Sequence, residues 1–119
     1  VAEAQPRAAY LLWLGALAQA YHRGSRMAEC AAVLRESVTL LEADEDWREV
    51  TTVGGNEALV LGNLGRYAEA DRAIARAQAA CARLGPVSGN LIAGLQLKQG
   101  HVHLGHGRLG SALRSYGQA

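Results

Sequence analysis

Three histidines near the end of the chain are the first residues whose type and spacing point to chemistry. His101, His103 and His106 lie in the run Gly-His-Val-His-Leu-Gly-His-Gly. On a helix, His103 and His106 share a face at spacing i, i+3, but His101 points elsewhere, and no Cys, Asp or Glu nearby completes a tetrahedral zinc set. We therefore predict no metal site and no cofactor.

The two cysteines are the candidate nucleophiles. Cys30 and Cys81 lie in alanine-rich stretches of helical pattern, where a thiol is inert packing, because catalysis needs an exposed thiolate near a base. The run Gly105-His106-Gly107 lacks the spacing and the lysine of a phosphate loop. The sequence predicts two free thiols in a reducing cytoplasm and a protein that is not an enzyme.

Charged residues are distributed unevenly along the chain. All eleven acids lie at or before Asp71, and the six Lys or Arg that follow are accompanied by no acid, although the formal net charge is only +1. Arg72, Arg76 and Arg83 have the spacing of a helical stripe that phosphates would attract. Because this clustering is sparse, we expect a solvated face and no direct nucleic-acid binding.

No segment has the pattern of a targeting signal. The most apolar N-terminal run, residues 8–20, has no preceding basic cluster and contains Gly15 and Gln19, so we expect neither a signal peptide nor a membrane span. The chain begins at Val1 and its last helical pattern is cut short at Ala119. We expect a single domain over residues 1–119 that is a fragment of a longer cytoplasmic protein.

Composition predicts an all-α fold, because Ala, Leu, Arg, Glu and Gln are abundant and runs of alternating β-branched residues are scarce. Three segments of helical pattern repeat one another, at about residues 6–43, 46–84 and 88–119, the last truncated. Each has a glycine where a tight turn between two helices tolerates positive φ, namely Gly24, Gly65 and Gly107. Ser25 and Asp46 are the predicted N-caps of the second and third helices, and we expect the third helix to continue, bent, through Gly54-Gly55.

The repeated positions carry a recognisable motif. The spacing W-x2-L-G-x2-Y is matched in the three segments by Leu14, Leu17, Ala18 and Tyr21, by Gly54, Glu57, Ala58 and Leu61, and by Gln96, Gln99, Gly100 and His103. Small residues follow where two helices cross, at Cys30, Ala70 and Ala112. The whole chain resembles the tetratricopeptide repeat family, and its period of 40 to 42 residues is similar to the long-helix repeats of multidomain bacterial transcriptional regulators.

This resemblance implies a fold and a surface. The fold would be about six helices in three antiparallel hairpins, stacked as a right-handed superhelix. The binding surface would be the concave side, lined by the first helix of each pair. The residues there that lie off the packing stripe are Gln19, His22, Arg23, Thr52, Asn56, Leu59, Asn63, Leu97, Lys98, His101 and Leu104.

Three functions fit this groove and its surroundings. The first is a protein- or peptide-binding module, the sensor or partner-binding part of a bacterial regulator, in which apolar side chains give affinity and Asn, Gln and His read polar groups. The second is self-association into a salt-sensitive homodimer, suggested by the uneven charge and the unpaired end repeats. The third is small-molecule sensing in the groove.

Overall fold

The chain folds as six α-helices, and the predicted all-α arrangement of antiparallel hairpins is confirmed. A computed structural model describes residues 4–86, 89–107 and 109–118. The helices are α1 (Ala4–Arg23), α2 (Met27–Ala43), α3 (Trp47–Asn63), α4 (Tyr67–Arg83), α5 (Gly89–Gly105) and α6 (Leu109–Gln118). In the described part of the chain no helix combines the length and apolarity needed to cross a membrane.

Three turns of the same geometry set the spacing of the helices. The middle residue of each is left-handed, at Ser25 (φ 58°), Glu45 (φ 57°) and Gly65 (φ 78°), which lie 20 residues apart. In each turn the next residue donates its N–H to the carbonyl five residues earlier, over 2.8 to 3.0 Å. This is the Schellman closure, which pairs carbonyls that a helix end leaves without partners. The helices α2 and α3, which lie between successive turns, accordingly have 17 residues each.

The turn geometry corrects two sequence predictions. Gly24 was expected to take the positive φ, but Ser25 takes it, because the Schellman closure fixes which turn position is left-handed, whatever residue stands there. For the same reason Ser25 is not an N-cap: Arg26 holds that position, with no side-chain capping bond. The predicted cap at Asp46 is confirmed, since its side chain accepts the backbone N–H of Glu49 at 3.4 Å.

A longer connection separates the second hairpin from the third. Helices α2, α3 and α4 begin 20 residues apart, at residues 27, 47 and 67. Helix α5 begins at residue 89, two residues later than the same spacing would place it. Gly85 is left-handed (φ 68°), yet Pro86 has no N–H and cannot complete the Schellman pair. The two extra residues explain why the period lengthens from 40 to 42. The predicted ends of the third segment, Ser88 and Ala119, lie outside the described residues.

Small side chains let the paired helices approach closely. Ala58 and Ala70 are completely buried at the crossing of α3 and α4, as the motif predicts. A methyl group added to Gly54 would lie 3.2 Å from Cβ of Ala77, so a larger residue would require the two helices to shift at this crossing. The predicted continuity of α3 through Gly54-Gly55 is confirmed, because the close packing offsets the roughly 1 kcal/mol that a helical glycine costs.

A chain of ion pairs joins helices that are distant in sequence. The carboxyl group of Glu57 on α3 is buried, and Arg35 of α2 donates Nε to its Oε2 at 3.1 Å. The same guanidinium donates to Glu69 at 3.2 Å, and Glu69 also accepts from Arg66 at 2.8 Å. The Arg66 hydrogen bond, aided by Arg35, lowers the pKa of Glu69 to about 2. Arg76 of α4 and Glu42 of α2 form a second bridge.

The two junctions between hairpins differ. At the second junction α3 packs along α5, while α4 contacts α5 less extensively. At the first junction α3 packs along α2, and within the described residues the backbones of α1 and α3 do not come close together. Gly15 of α1 has no atom within 4 Å of where a Cβ would stand, whereas its repeat equivalent, Gly55, has Lys98 2.7 Å from that point. The first hairpin is therefore open on the side where the second hairpin is closed by α5.

The left-handed turns predict opposite effects of glycine at two equivalent positions. Replacing Glu45→Gly should stabilise the chain by about 1 kcal/mol, because an L-residue pays roughly that amount for a left-handed backbone. Gly65→Ala should destabilise it by about the same amount. Urea unfolding measures both changes, with Gly24→Ala as the control outside the left-handed position. A Glu45→Gly variant less stable than the parent chain would contradict this account.

The buried carboxylate predicts a large and repairable loss of stability. Arg35→Leu should cost about 2 kcal/mol, below the range for a fully buried pair because Arg35 is partly exposed. Replacing both partners, Arg35→Leu with Glu57→Leu, should regain most of that loss, because no unpaired charge remains. Chemical unfolding of the four members of the cycle provides the measurement, and Arg48→Ala, an exposed arginine of α3, is the control. Equal losses in the single and double variants would exclude the role given to this pair.

Candidate functional site

The gap between α1 and α3 is a cavity of about 590 Å³. One wall comes from α1, the other from α3 and the end of α5, and α2 forms the floor. The residues that line it are Ala18, Gln19, His22, Cys30, Leu34, Asn56, Leu59, Val60, Asn63, His101, Leu104 and Gly105. The cavity exists because α1 packs on α2 without reaching α3.

Most of the groove residues predicted from sequence surround this cavity. Seven of the eleven line it, namely Gln19, His22, Asn56, Leu59, Asn63, His101 and Leu104. Thr52 and Lys98 instead line a smaller cavity of about 210 Å³ between α3 and α5. Arg23 and Leu97 are exposed and line neither cavity. Binding at any of these positions stays a prediction.

The floor of the cavity was missed by sequence reasoning. Cys30 and Leu34 belong to α2, one turn apart, and the sequence predicted Cys30 only as the small residue at a helix crossing. Both also face the cavity, because the separation of α1 from α3 uncovers α2 between them. Cys30 donates its thiol hydrogen to the carbonyl of Ala18 at 3.4 Å, and burial raises the pKa of the thiol.

The α5 wall is held in place by aromatic contacts. Tyr67, the first residue of α4, donates its hydroxyl to the carbonyl of Gly105 at 2.8 Å and stacks on His106 with ring centroids 4.2 Å apart. His101 lies 3.0 Å from the hydroxyl of Tyr116 on α6. These contacts fix the end of α5 where it borders the cavity, and they place His101 at the rim.

Lys98 lies in an unusual setting for a charged group. Its ammonium donates to the carbonyl of Thr52 at 3.3 Å, and burial lowers its pKa. The stem of Lys98 packs against Gly55, so the side chain fills the seam between α3 and α5. Within the described part of the chain it therefore serves helix packing and points away from the larger cavity.

The other charged and metal-binding candidates do not converge on a site. Arg76 pairs with Glu42, and Arg83 lies over the ring of Trp47 with its guanidinium carbon 4.6 Å from the centroid. Arg72 and Arg83 are exposed, as the prediction of a solvated face requires. His101 is within hydrogen-bond distance of Tyr116, whereas His106 stacks on Tyr67. Among the described residues, no three His, Cys, Asp or Glu side chains come close enough together to hold a metal ion.

Comparisons of the chain with protein-family models, with curated proteins and with solved structures found no match. The geometry of the site therefore provides the argument for function.

The cavity floor predicts unequal reactivity of the two thiols. Cys30 is buried with a raised pKa, whereas Cys81 is half-buried. Since the thiolate is the reacting form, iodoacetamide should modify Cys30 roughly tenfold or more slowly than Cys81 in the folded chain. Peptide mass spectrometry over a time course measures both rates, and urea-unfolded protein is the control in which they should converge. Faster modification of Cys30 would place it outside the packed floor.

Proposed function

We propose that the chain is an interaction module that binds an apolar, uncharged peptide segment of a partner protein in the cavity between α1 and α3. The observation that carries the proposal is the cavity itself. Stacked helical hairpins normally bury the surfaces between them. Here the surface between the first two hairpins remains open, with α2 at the bottom of the cavity and α1 and α3 on its sides.

The chemistry of the lining indicates the kind of segment. Ala18, Leu34, Leu59, Val60 and Leu104 offer apolar surface, which provides affinity for apolar side chains. The polar members are amides and imidazoles, and the lining contains no carboxylate, ammonium or guanidinium group. A charged side chain would find no counter-ion here, so the segment should be uncharged where it enters.

The amide side chains are suited to a peptide backbone. Gln19 lies on α1, and Asn56 and Asn63 lie two turns apart on α3, so amides stand on both walls of the cavity. Each amide both donates and accepts hydrogen bonds. They match the alternating N–H and C=O groups of an extended peptide, while the apolar floor takes its side chains.

A binding role fits the thiol better than a catalytic role. Cys30 is the nucleophile available in the cavity, yet its thiol is committed to the carbonyl of Ala18 and burial raises its pKa. Reactive cysteines require the opposite shift, which stabilises the thiolate. We infer that the cavity holds a partner without transforming it.

The wider biological setting is part of the proposal. The resemblance to long-helix tetratricopeptide arrays supports a partner-binding or sensor region of a cytoplasmic bacterial regulator. The recurrence of 17-residue helices with identical turns supports the same comparison.

A small organic ligand is the second candidate. The cavity volume of about 590 Å³ falls within the range of sites that bind small molecules. Such a ligand would need the same properties as the peptide, an apolar body with a few neutral hydrogen-bonding groups.

A near-isosteric charge in the cavity tests the proposal. Short randomised peptides displayed on phage should yield uncharged, apolar binders, and their affinity is measured by fluorescence anisotropy. Asn63→Asp should weaken binding about tenfold or more, because it leaves a charge without a partner beside the bound segment. Asn90→Asp makes the same change on α5, outside the cavity, and should leave the affinity unchanged.

The same variants separate the two candidates. If no peptide is enriched, but an uncharged small-molecule library raises the melting temperature of the parent chain and not of Asn63→Asp, the small-molecule candidate replaces the peptide. Equal peptide affinity in Asn63→Asp and Asn90→Asp would remove the cavity as the binding site.

A further inference from the structure

Helices α2 and α4 both pack on α3 but not on one another. Within the described residues their backbones do not come close together, and side chains bridge the gap at two levels. Arg35 of α2 donates to Glu69 of α4, and Arg76 of α4 donates to Glu42 of α2. Each helix contributes to both bridges from positions seven residues apart, so the bridges are about 10 Å apart along the helices.

A cavity of about 300 Å³ borders both bridges. The residues that line it are Arg35, Glu57, Glu69, Arg72, Ala73 and Arg76. None of them lines the cavity between α1 and α3, so the two cavities are separate. The smaller cavity is lined by three guanidinium groups and two carboxyl groups, whereas the lining of the larger cavity contains neither. The two cavities therefore suit ligands of different chemistry.

Arg72 is a cation of this cavity that forms no ion pair or hydrogen bond within the described part of the chain. It is exposed, and it lies three residues after Glu69 and four before Arg76, on the same face of α4 as both bridges. Glu69 is already held by Arg35 and Arg66. The guanidinium group of Arg72 can therefore bind an acid supplied by a ligand.

Glu57 of α3 has the opposite requirement in the same cavity. The residue is 1% exposed, and its Oε2 accepts the hydrogen bond from Arg35. Its Oε1 is also buried and has no hydrogen-bond partner among the described residues. Since buried carboxyl oxygens are normally hydrogen-bonded, this atom favours a ligand that brings a donor into the cavity.

These two groups together select a ligand that carries both charges. An anion alone would bind Arg72, but it would bring negative charge near two carboxyl groups. A cation alone would donate to Glu57, but it would meet three guanidinium groups. A carboxylate beside an ammonium group satisfies both residues with charge-assisted hydrogen bonds and adds no net charge.

We propose that this cavity binds a free α-amino acid. Its carboxylate accepts from the guanidinium group of Arg72, and its ammonium group donates to Oε1 of Glu57. Ala73 is the one apolar residue of the lining, and about 300 Å³ is at the lower end of the range for small-molecule sites. The amino acid should therefore have a small or polar side chain.

Access to Glu57 requires side chains to move but not helices. The side chains of Arg35 and Arg76 are 46% and 35% exposed, and exposed side chains change rotamer within nanoseconds. The arginines can thus turn to admit the ammonium group to Oε1 and then close around the carboxylate.

Calorimetric titration of the full chain tests the proposal, with glycine, L-alanine, L-serine and L-asparagine as the probes. At least one of them should bind with a Kd of about 1 mM or lower. Absence of binding by all four at concentrations up to about 10 mM, tenfold above that Kd, overturns the proposal.

Derivatives of the amino acid that binds most tightly test the two charges separately. Its amide lacks the carboxylate, and its N-acetyl derivative lacks the ammonium group. Each should bind at least tenfold more weakly than the amino acid, and so should inorganic phosphate. Phosphate or the N-acetyl derivative binding as tightly as the amino acid would show a simple anion site and overturn the proposal.

Arg72→Gln tests the location of the site. The substitution breaks no ion pair within the described residues, so urea unfolding should show the stability of the parent chain, while the affinity for the amino acid should fall tenfold or more. Arg48→Gln makes the same change at an exposed arginine of α3 outside the cavity and should bind like the parent chain. Equal affinity in the two variants overturns the proposal. Peptide binding in the larger cavity should be unchanged in both, so the two functions can fail independently.

Discussion

The arrangement of the first two hairpins depends on a carboxyl group that has been removed from water. Glu57 is buried between α2 and α3, and Arg35 supplies its hydrogen bond. A carboxylate in that position requires a donor, so α2 has to stay where its guanidinium reaches α3. Since α1 packs on α2, the location of α1 follows from the same bond. The open side of the first hairpin is thus a consequence of how the second is attached.

The α1 helix has three faces, each in a different environment. It has no charged residue from Ala8 to Tyr21, a composition usual for a helix that is covered on all sides. One face packs on α2, one borders the cavity, and one carries the stacked rings of Tyr10 and Trp13. Among the described residues α1 packs closely on α2 alone, which explains why the cavity opens beside the first hairpin.

Much of the fold could be predicted from the sequence, because it rests on local rules: helix-forming residues, a period of 40, and small residues at the crossings. The misjudged features depend on partners distant in sequence. Glu57 stands at a position where the motif has leucine. Its partner, Arg35, lies 22 residues away in sequence, and no residue near Glu57 indicates this pairing. The left-handed Ser25 follows from turn position and not from residue type. Seven cavity residues could be predicted from their helix faces, but the floor could not, because the separation of α1 from α3 depends on helix orientations that no spacing encodes.

The two extra residues between α4 and α5 give the array a property that a regular solenoid lacks. In a strictly periodic array every hairpin meets the next in the same way, and a groove formed at one junction recurs at all of them. Here the junctions differ: the first leaves its inner helices apart, and the second closes them. Among the described residues one large groove stands where a regular array would have a ladder of equivalent ones, so we expect the proposed partner to bind with a stoichiometry of one to one.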